Sequence, residues 1–266
     1  MKSSAKPSQT FGLAGKVCVI IGGSGLIGSE LSRLCAVEGA KVVIVGRDQK
    51  KGEALAKQIE KKGGIVVFEQ CDVTDQASVV ALVGRVYKRF KRVDGLVNSA
   101  HFGTGQPGKS LLEVEQGDFL SYLDRNVGGP FLVAREFAKK MKIQKSGSIV
   151  FMSSIYGTVP PRFEIFEGTN QTVRAEYAAA KAALIQLARF FAKDLGRWGV
   201  RVNVISPGAV KNQQAPSVRV AYENQVPLGR RMAHPDDISP TLVFLFSEAS
   251  KYITGQNIIV DGGWTL

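Results

Sequence analysis

Apolar residues in this chain gather in short unbroken runs, separated by longer stretches of helical periodicity. Lys16-Val-Cys-Val-Ile-Ile21, Lys41-Val-Val-Ile-Val45, Ile65-Val-Val-Phe-Glu-Gln-Cys71 and Arg92-Val-Asp-Gly-Leu-Val97 are rich in β-branched residues. Runs of this length and composition predict buried strands. Between the first two, Glu30, Leu31, Leu34 and Cys35 repeat with a helical period. Four such strands alternating with helical segments predict an α/β fold, a doubly wound parallel sheet with helices on both faces. Further on, Glu176-Tyr-Ala-Ala-Ala-Lys-Ala-Ala-Leu-Ile-Gln-Leu-Ala-Arg-Phe-Phe lacks Pro and Gly, and predicts a helix from 176 to about 197. Its Leu184, Ile185, Leu187, Phe190, Phe191 and Leu195 do not fit one stripe. Such a helix needs cover on two faces, and self-association to a homodimer or homotetramer would supply it.

With 266 residues, 44% of them hydrophobic, one domain with a full core is expected over 11–266, after a flexible polar extension at 1–10. No repeat or charge block divides it. There is no apolar signal core and no run long enough to span a bilayer, so a cytoplasmic protein without a membrane partner is expected. Cys18, Cys35 and Cys71 are scattered on predicted buried elements without metal-ligand spacing. They read as reduced core thiols, with no metal site. The net charge of +12 favours anionic ligands, including phosphorylated cofactors. The basic residues are dispersed, with no compact block or aromatic platform, so nucleic acid is not an expected partner.

Candidate chemistry begins at the end of the first strand. Gly22-Gly-Ser-Gly-Leu-Ile-Gly28 follows it directly and opens a helix. Glycines let main chain approach phosphates, and a helix N-terminus offers free N–H groups. Gly22, Ser24, Gly25, Leu26, Ile27 and Gly28 are therefore candidate dinucleotide contacts. The second strand ends in Gly46-Arg47-Asp48. A guanidinium suits a 2′-phosphate, which favours NADP(H); Asp48, one residue on, keeps NAD(H) open. At the end of the third strand, Asp72 and Val73 are candidates for adenine, while Thr74 or Asp75 would cap the next helix. Asn98 and Ala100 close the fourth strand. Tyr177 and Lys181, four residues apart on the long helix, share a face. A phenol with a pKa of about 10 is a poor acid or base at neutral pH, and a neighbouring ammonium lowers that value. Taken alone, the pair also fits an interior Tyr with a snorkelling Lys.

Together these residues resemble the short-chain dehydrogenase/reductase family over roughly 14–263. The matching pieces are the glycine turn, Asp72-Val73, Asn98-Ser99-Ala100, Asn126, Ser153-Ser154, Tyr177-Ala-Ala-Ala-Lys181, Pro207-Gly208 and Gly255-Gln256 through Asp261-Gly-Gly263. The resemblance implies a catalytic tetrad of Asn126, Ser154, Tyr177 and Lys181. Tyr177 would be the general acid/base, and Lys181 would lower its pKa and hold the nicotinamide ribose. Ser154 would bond the substrate oxygen, and Asn126 would anchor a water leading from Lys181 to solvent. Pro207, Gly208 and Val210 would fix the nicotinamide.

Four departures stand out. Ile21 replaces a Thr before the turn, Leu26 stands where a middle Gly is expected, and His101 replaces a Gly after Ala100. Ser154 and Tyr177 are 23 residues apart, a longer separation than the family pattern has. The insertion, at about 158–176, is expected over the substrate mouth, where loops set specificity. Its Arg162 and Arg174 would meet a phosphate or carboxylate with Phe163 or Phe166 stacking on a flat group, or else it is a solvated loop whose Phe side chains pack on the body. The stretch Phe-Glu-Ile-Phe-Glu-Gly-Thr and the last fifteen residues are similar to a bacterial subgroup, flagellin modification protein A and relatives tied to cell-surface sugars. The implied activity is hydride transfer between a ketone and a secondary alcohol, the substrate a sugar or nucleotide-sugar. A 3-oxoacyl-carrier reductase and a non-catalytic nucleotide-binding regulator are the alternatives.

Overall fold

The computed structural model describes residues 10–103 and 109–266. Apart from Thr10, the extension expected at 1–10 lies outside the described residues. The sheet strands are β1 (Val17–Ile21), β2 (Lys41–Gly46), β3 (Ile65–Gln70), β4 (Gly95–Asn98), β5 (Gly147–Met152), β6 (Val200–Pro207) and β7 (Asn257–Val260). The helices are α1 (Leu26–Val37), α2 (Gln49–Glu60), α3 (Gln76–Phe90), α4 (Gln116–Leu123), α5 (Gly129–Gln144), α6 (Ala175–Leu195), α7 (Pro216–Glu223) and α8 (Pro235–Phe246). The strands form one sheet in the order β3-β2-β1-β4-β5-β6-β7, every neighbouring pair parallel.

Alternation along each strand explains the unbroken apolar runs. Val17, Val19 and Ile21 face a core closed by α3, α5 and α6, whereas Cys18 and Ile20 face one closed by α1, α2 and α8. A strand covered on both faces has no polar side to show. Each fully buried Val or Ile contributes about 1.5–3 kcal/mol. Cys18, Cys35 and Cys71 are buried and free.

The fourth strand begins at Gly95 rather than Arg92. Just before it, the Asp94 side chain accepts a hydrogen bond from the Val17 N–H at 2.9 Å and pairs with Arg92, while its main chain bonds Val17 and Ser148 on the neighbouring strands. Three strands, β5 to β7, lie beyond the four predicted. Polar residues break their apolar pattern, and they are buried with main-chain partners. Ser148 donates to the Leu245 carbonyl at 2.7 Å, and Asn203 Nδ2 to that of Ile253 at 3.0 Å.

Chain order reverses between β1 and β4, and the register sets the carboxyl ends nearly level. Ile21 lies opposite Val45 and Asn98, Asn98 opposite Phe151, and Met152 opposite Ile205. The loops beyond these ends border the crevice in which doubly wound sheets hold ligands.

Candidate active site

The side of the crevice between β1 and α1 is made largely of main chain. Gly22 has φ +72° and packs against Ala100, whose Cα would lie 2.8 Å from any Cβ there. A Cβ at Gly28 would collide with the Gly22 carbonyl. At Gly25 the nearest such contact is 3.2 Å, so the turn is crowded beneath and open above. No side chain caps α1, whose N-cap is Gly25. A cavity of about 540 Å³ sits on this turn, lined by Gly22, Ser24, Gly25, Leu26, Ile27, Gly28, Arg47, Val73 and Ala100 among others. The open turn, uncapped helix start and nearby Arg47 fit the diphosphate of a dinucleotide.

Two candidate contacts lie off this cavity. Asp72 does not line the cavity: its Oδ1 accepts from Thr74 N at 3.0 Å and Thr74 Oγ1 at 2.7 Å. Those bonds hold its carboxyl below the usual range. Asp75 caps α3, accepting from Ala77 N and Ser78 N. Asn98 is also off the cavity wall, buried at 4% exposure with neither amide atom bonded. Asp48 lines the cavity and also caps α2, its Oδ1 accepting from Lys51 N at 3.0 Å. Arg47 extends over the Phe102 ring, 4.7 Å from its centroid.

The other side of the crevice is a cavity of about 520 Å³ where Ser154, Tyr177, Lys181, Pro207, Gly208 and Val210 meet. Ile27, Ser99 and His101 line both cavities, so the crevice is continuous. Ser154 ends the β5 loop, and its Oγ accepts from Tyr156 N at 3.2 Å. Its hydroxyl also bonds Tyr177, which lowers the Tyr177 pKa, but burial prevails and the phenol stands above its ordinary value. Lys181 is 8% exposed; Nζ donates to the Met152 carbonyl at 2.9 Å and lies 5.6 Å from the Tyr177 ring centroid. Burial pushes its pKa down to about 8. Proximity is therefore as expected, whereas the expected lowering of Tyr177 by Lys181 is not seen: the ammonium is drawn to a carbonyl and burial dominates the phenol.

Asn126 lies in a π-helical turn (Asp124–Gly128) between α4 and α5. Such bulges concentrate at functional sites. Its Oδ1 accepts from Phe102 N at 2.9 Å, and its Nδ2 donates to the carbonyls of Phe102 and Tyr122 at 3.1 Å each. The side-chain amide thus clasps the segment after β4.

A family model described as enoyl-(acyl carrier protein) reductase matches residues 24–265. The chain belongs to the short-chain dehydrogenase/reductase family. It is 34% identical over 261 residues to a D-threitol dehydrogenase of Mycolicibacterium smegmatis, covering 96% of this chain and 95% of that one. It is 29% identical to the post-translational flagellin modification protein A of Campylobacter coli, covering 96% of this chain and all of that protein. Among solved structures, a gluconate 5-dehydrogenase from Burkholderia cenocepacia, in complex with NADP and tartrate, superposes with a TM-score of 0.86 at 28% identity. That match covers 97% of this chain and 98% of the other.

In this short-chain dehydrogenase/reductase the insertion does two things. Its far end turns away from the cleft. Arg162 donates to Gln225 Oε1 at 2.8 Å and lies 4.5 Å from the Trp264 ring centroid, outside the catalytic cavity. Neither Phe163 nor Phe166 lines the cavity: Phe163 is 58% exposed, and Phe166 packs with Ile165, Tyr222 and Trp264 in a third core. The returning end, Thr172, Val173 and Arg174, forms cavity wall. Of the expected anion-binding and stacking residues, only Arg174 reaches the cleft.

Several supporting residues were missed. Ser153 Oγ donates to the Lys181 carbonyl at 2.7 Å, tying β5 to the catalytic helix. The Tyr222 hydroxyl accepts from Ala209 N at 2.8 Å and steadies the loop after β6. The doubled Ser153-Ser154 was a visible signal for the first; nothing local to Tyr222 marks the second. No helix among the described residues is long and apolar enough to cross a membrane.

Proposed function

We propose that this protein is an NADP(H)-preferring oxidoreductase interconverting a ketone and a secondary alcohol, with Tyr177 as general acid/base. The observation that carries the reading is the meeting of Ser154, Tyr177 and Lys181 on one wall of a crevice whose other wall fits a dinucleotide. When bound, the nicotinamide supplies or takes the hydride. Tyr177 Oη–H donates a proton to the substrate oxygen as charge grows on it, and takes it back in the oxidative direction. Ser154 Oγ accepts a main-chain N–H, and its own hydrogen, directed at Tyr177, is the one that would turn to that oxygen. Lys181, with its pKa near 8, is able to give up and regain a proton, and so restore Tyr177. Arg47 favours the 2′-phosphate, and Asp48 on the same cavity keeps NAD(H) as the lesser option.

A sugar-like substrate is supported by the kinship with the threitol and gluconate dehydrogenases and the flagellin modification protein. The second reading, a 3-oxoacyl-carrier reductase, draws on the family model's description and on a basic surface suited to an acidic carrier. A non-catalytic regulator would have no use for the Ser154–Tyr177 bond. We further propose that residues 11–266 act as one unit in the cytoplasm, as a homodimer or homotetramer. Phe190 on α6 is 72% exposed and Phe131 on α5 38%, and Leu187 is partly covered, although the chain itself buries Leu184, Ile185, Phe191 and Leu195. Replacing Tyr177 with Phe is expected to lower kcat roughly 10²–10⁴-fold on a panel of ketones, with dinucleotide affinity nearly unchanged. Retained turnover would overturn the assignment.

A further inference from the structure

The chain has two histidines, and His234 stands at the start of α8. His101, where the family pattern has glycine, lines both cavities of the crevice. Its ring meets the Tyr177 ring edge-on, 5.7 Å between centroids, and the Tyr122 ring at 6.2 Å. Two aromatic neighbours fix the plane of the imidazole, yet the residue stays exposed to the cleft. Packing alone would be met by an apolar side chain, which would not draw water into a dinucleotide crevice.

Surrounding protein and the Lys181 charge push the His101 pKa down, so the ring is neutral at physiological pH. A neutral imidazole has one N–H and one bare nitrogen. The nearby Asn126 side chain opposes that shift without reversing it. Because the ring lines both cavities, its bare nitrogen is available there as an acceptor. Thr172, Asn212 and Arg174 add polar groups to the same wall.

We infer that His101 is a specificity-determining residue: its free ring nitrogen accepts a hydrogen bond from a substrate hydroxyl adjacent to the carbon that Tyr177 serves. The substrate class is then a hydroxy ketone or the matching polyol. A 3-oxoacyl thioester has no hydroxyl there, and would leave the nitrogen desolvated and unpaired. The inference rests on the oxidoreductase reading above and sharpens its substrate.

The test compares the wild type, His101→Gly and His101→Gln on erythrulose, 2-butanone and an acetoacetyl thioester, each with NADPH. The wild type is expected to favour erythrulose over 2-butanone in kcat/KM. His101→Gly is expected to shrink that ratio roughly tenfold or more. His101→Gln, which keeps an acceptor, is expected to recover part of it. A purely structural role would depress all three substrates alike, and that outcome overturns the inference. So does an unchanged ratio in His101→Gly, or a wild type that reduces only 2-butanone or the thioester, although these leave the redox reading standing. No hydride transfer to any of the three removes both.

Discussion

The two ends of the crevice are built from different materials. The proposed dinucleotide end is main chain: a glycine turn, a bare helix start and strand ends held in register. The proposed catalytic end is side chain: groups from β5, α6, the π-helical turn and the loop after β6, each set by a distant partner. Ser153 locks β5 to α6, Asn126 locks the turn to Phe102, and Tyr222 locks the β6 loop. A backbone-built site tolerates side-chain change above it but not crowding beneath. A side-chain-built site fails when one anchor is lost, even if the fold persists.

The largest expected effect at the first end comes from crowding its underside. Gly28→Val sets a branched side chain against the Gly22 carbonyl and is expected to abolish dinucleotide binding and to lower stability by about 1–3 kcal/mol. Thermal unfolding and titration with dinucleotide measure both. Unchanged affinity would mean the turn is not the phosphate cradle. Next, Arg47→Asp is expected to weaken NADPH roughly 10–100-fold while leaving NADH within a few-fold. Equal affinity for both dinucleotides in the unaltered protein removes the 2′-phosphate argument.

The smallest expected effect is on pH dependence, and it belongs to the catalytic end. Burial depresses Lys181 to about 8, so its ammonium form dominates below that pH and is lost above it. Reduction needs a proton supply, so its kcat/KM is expected to fall as pH rises through about 8. Oxidation is expected to rise over the same range. Profiles in both directions, from about pH 6 to 10, check this, and a flat reductive profile contradicts a role for Lys181 in proton supply.

The same contrast explains what could be read in the sequence. Four strands and the turn between β1 and α1 were legible because glycine spacing and unbroken apolar runs are local signals. The pairing of Tyr177 with Lys181 was legible because helical periodicity places both. β5 to β7 were not, since Ser148 and Asn203 look unlike strand residues until Leu245 and Ile253 supply their carbonyls. Arg162 was expected at the cleft because its charge, but not the Trp264 ring beneath it, is visible in the insertion. The raised pKa of Tyr177 follows from burial, a property of the folded chain.

Trp264 has a practical side. Its ring stacks on Tyr222 at 5.3 Å between centroids, and the Tyr222 hydroxyl holds the main chain beside Gly208. Leu266, two positions on, is 97% exposed. A tag joined at Leu266 would sit in open water, but removing Trp264 with its two followers would pull the bracing indole from behind the loop after β6, and an apparently harmless deletion would be felt in turnover.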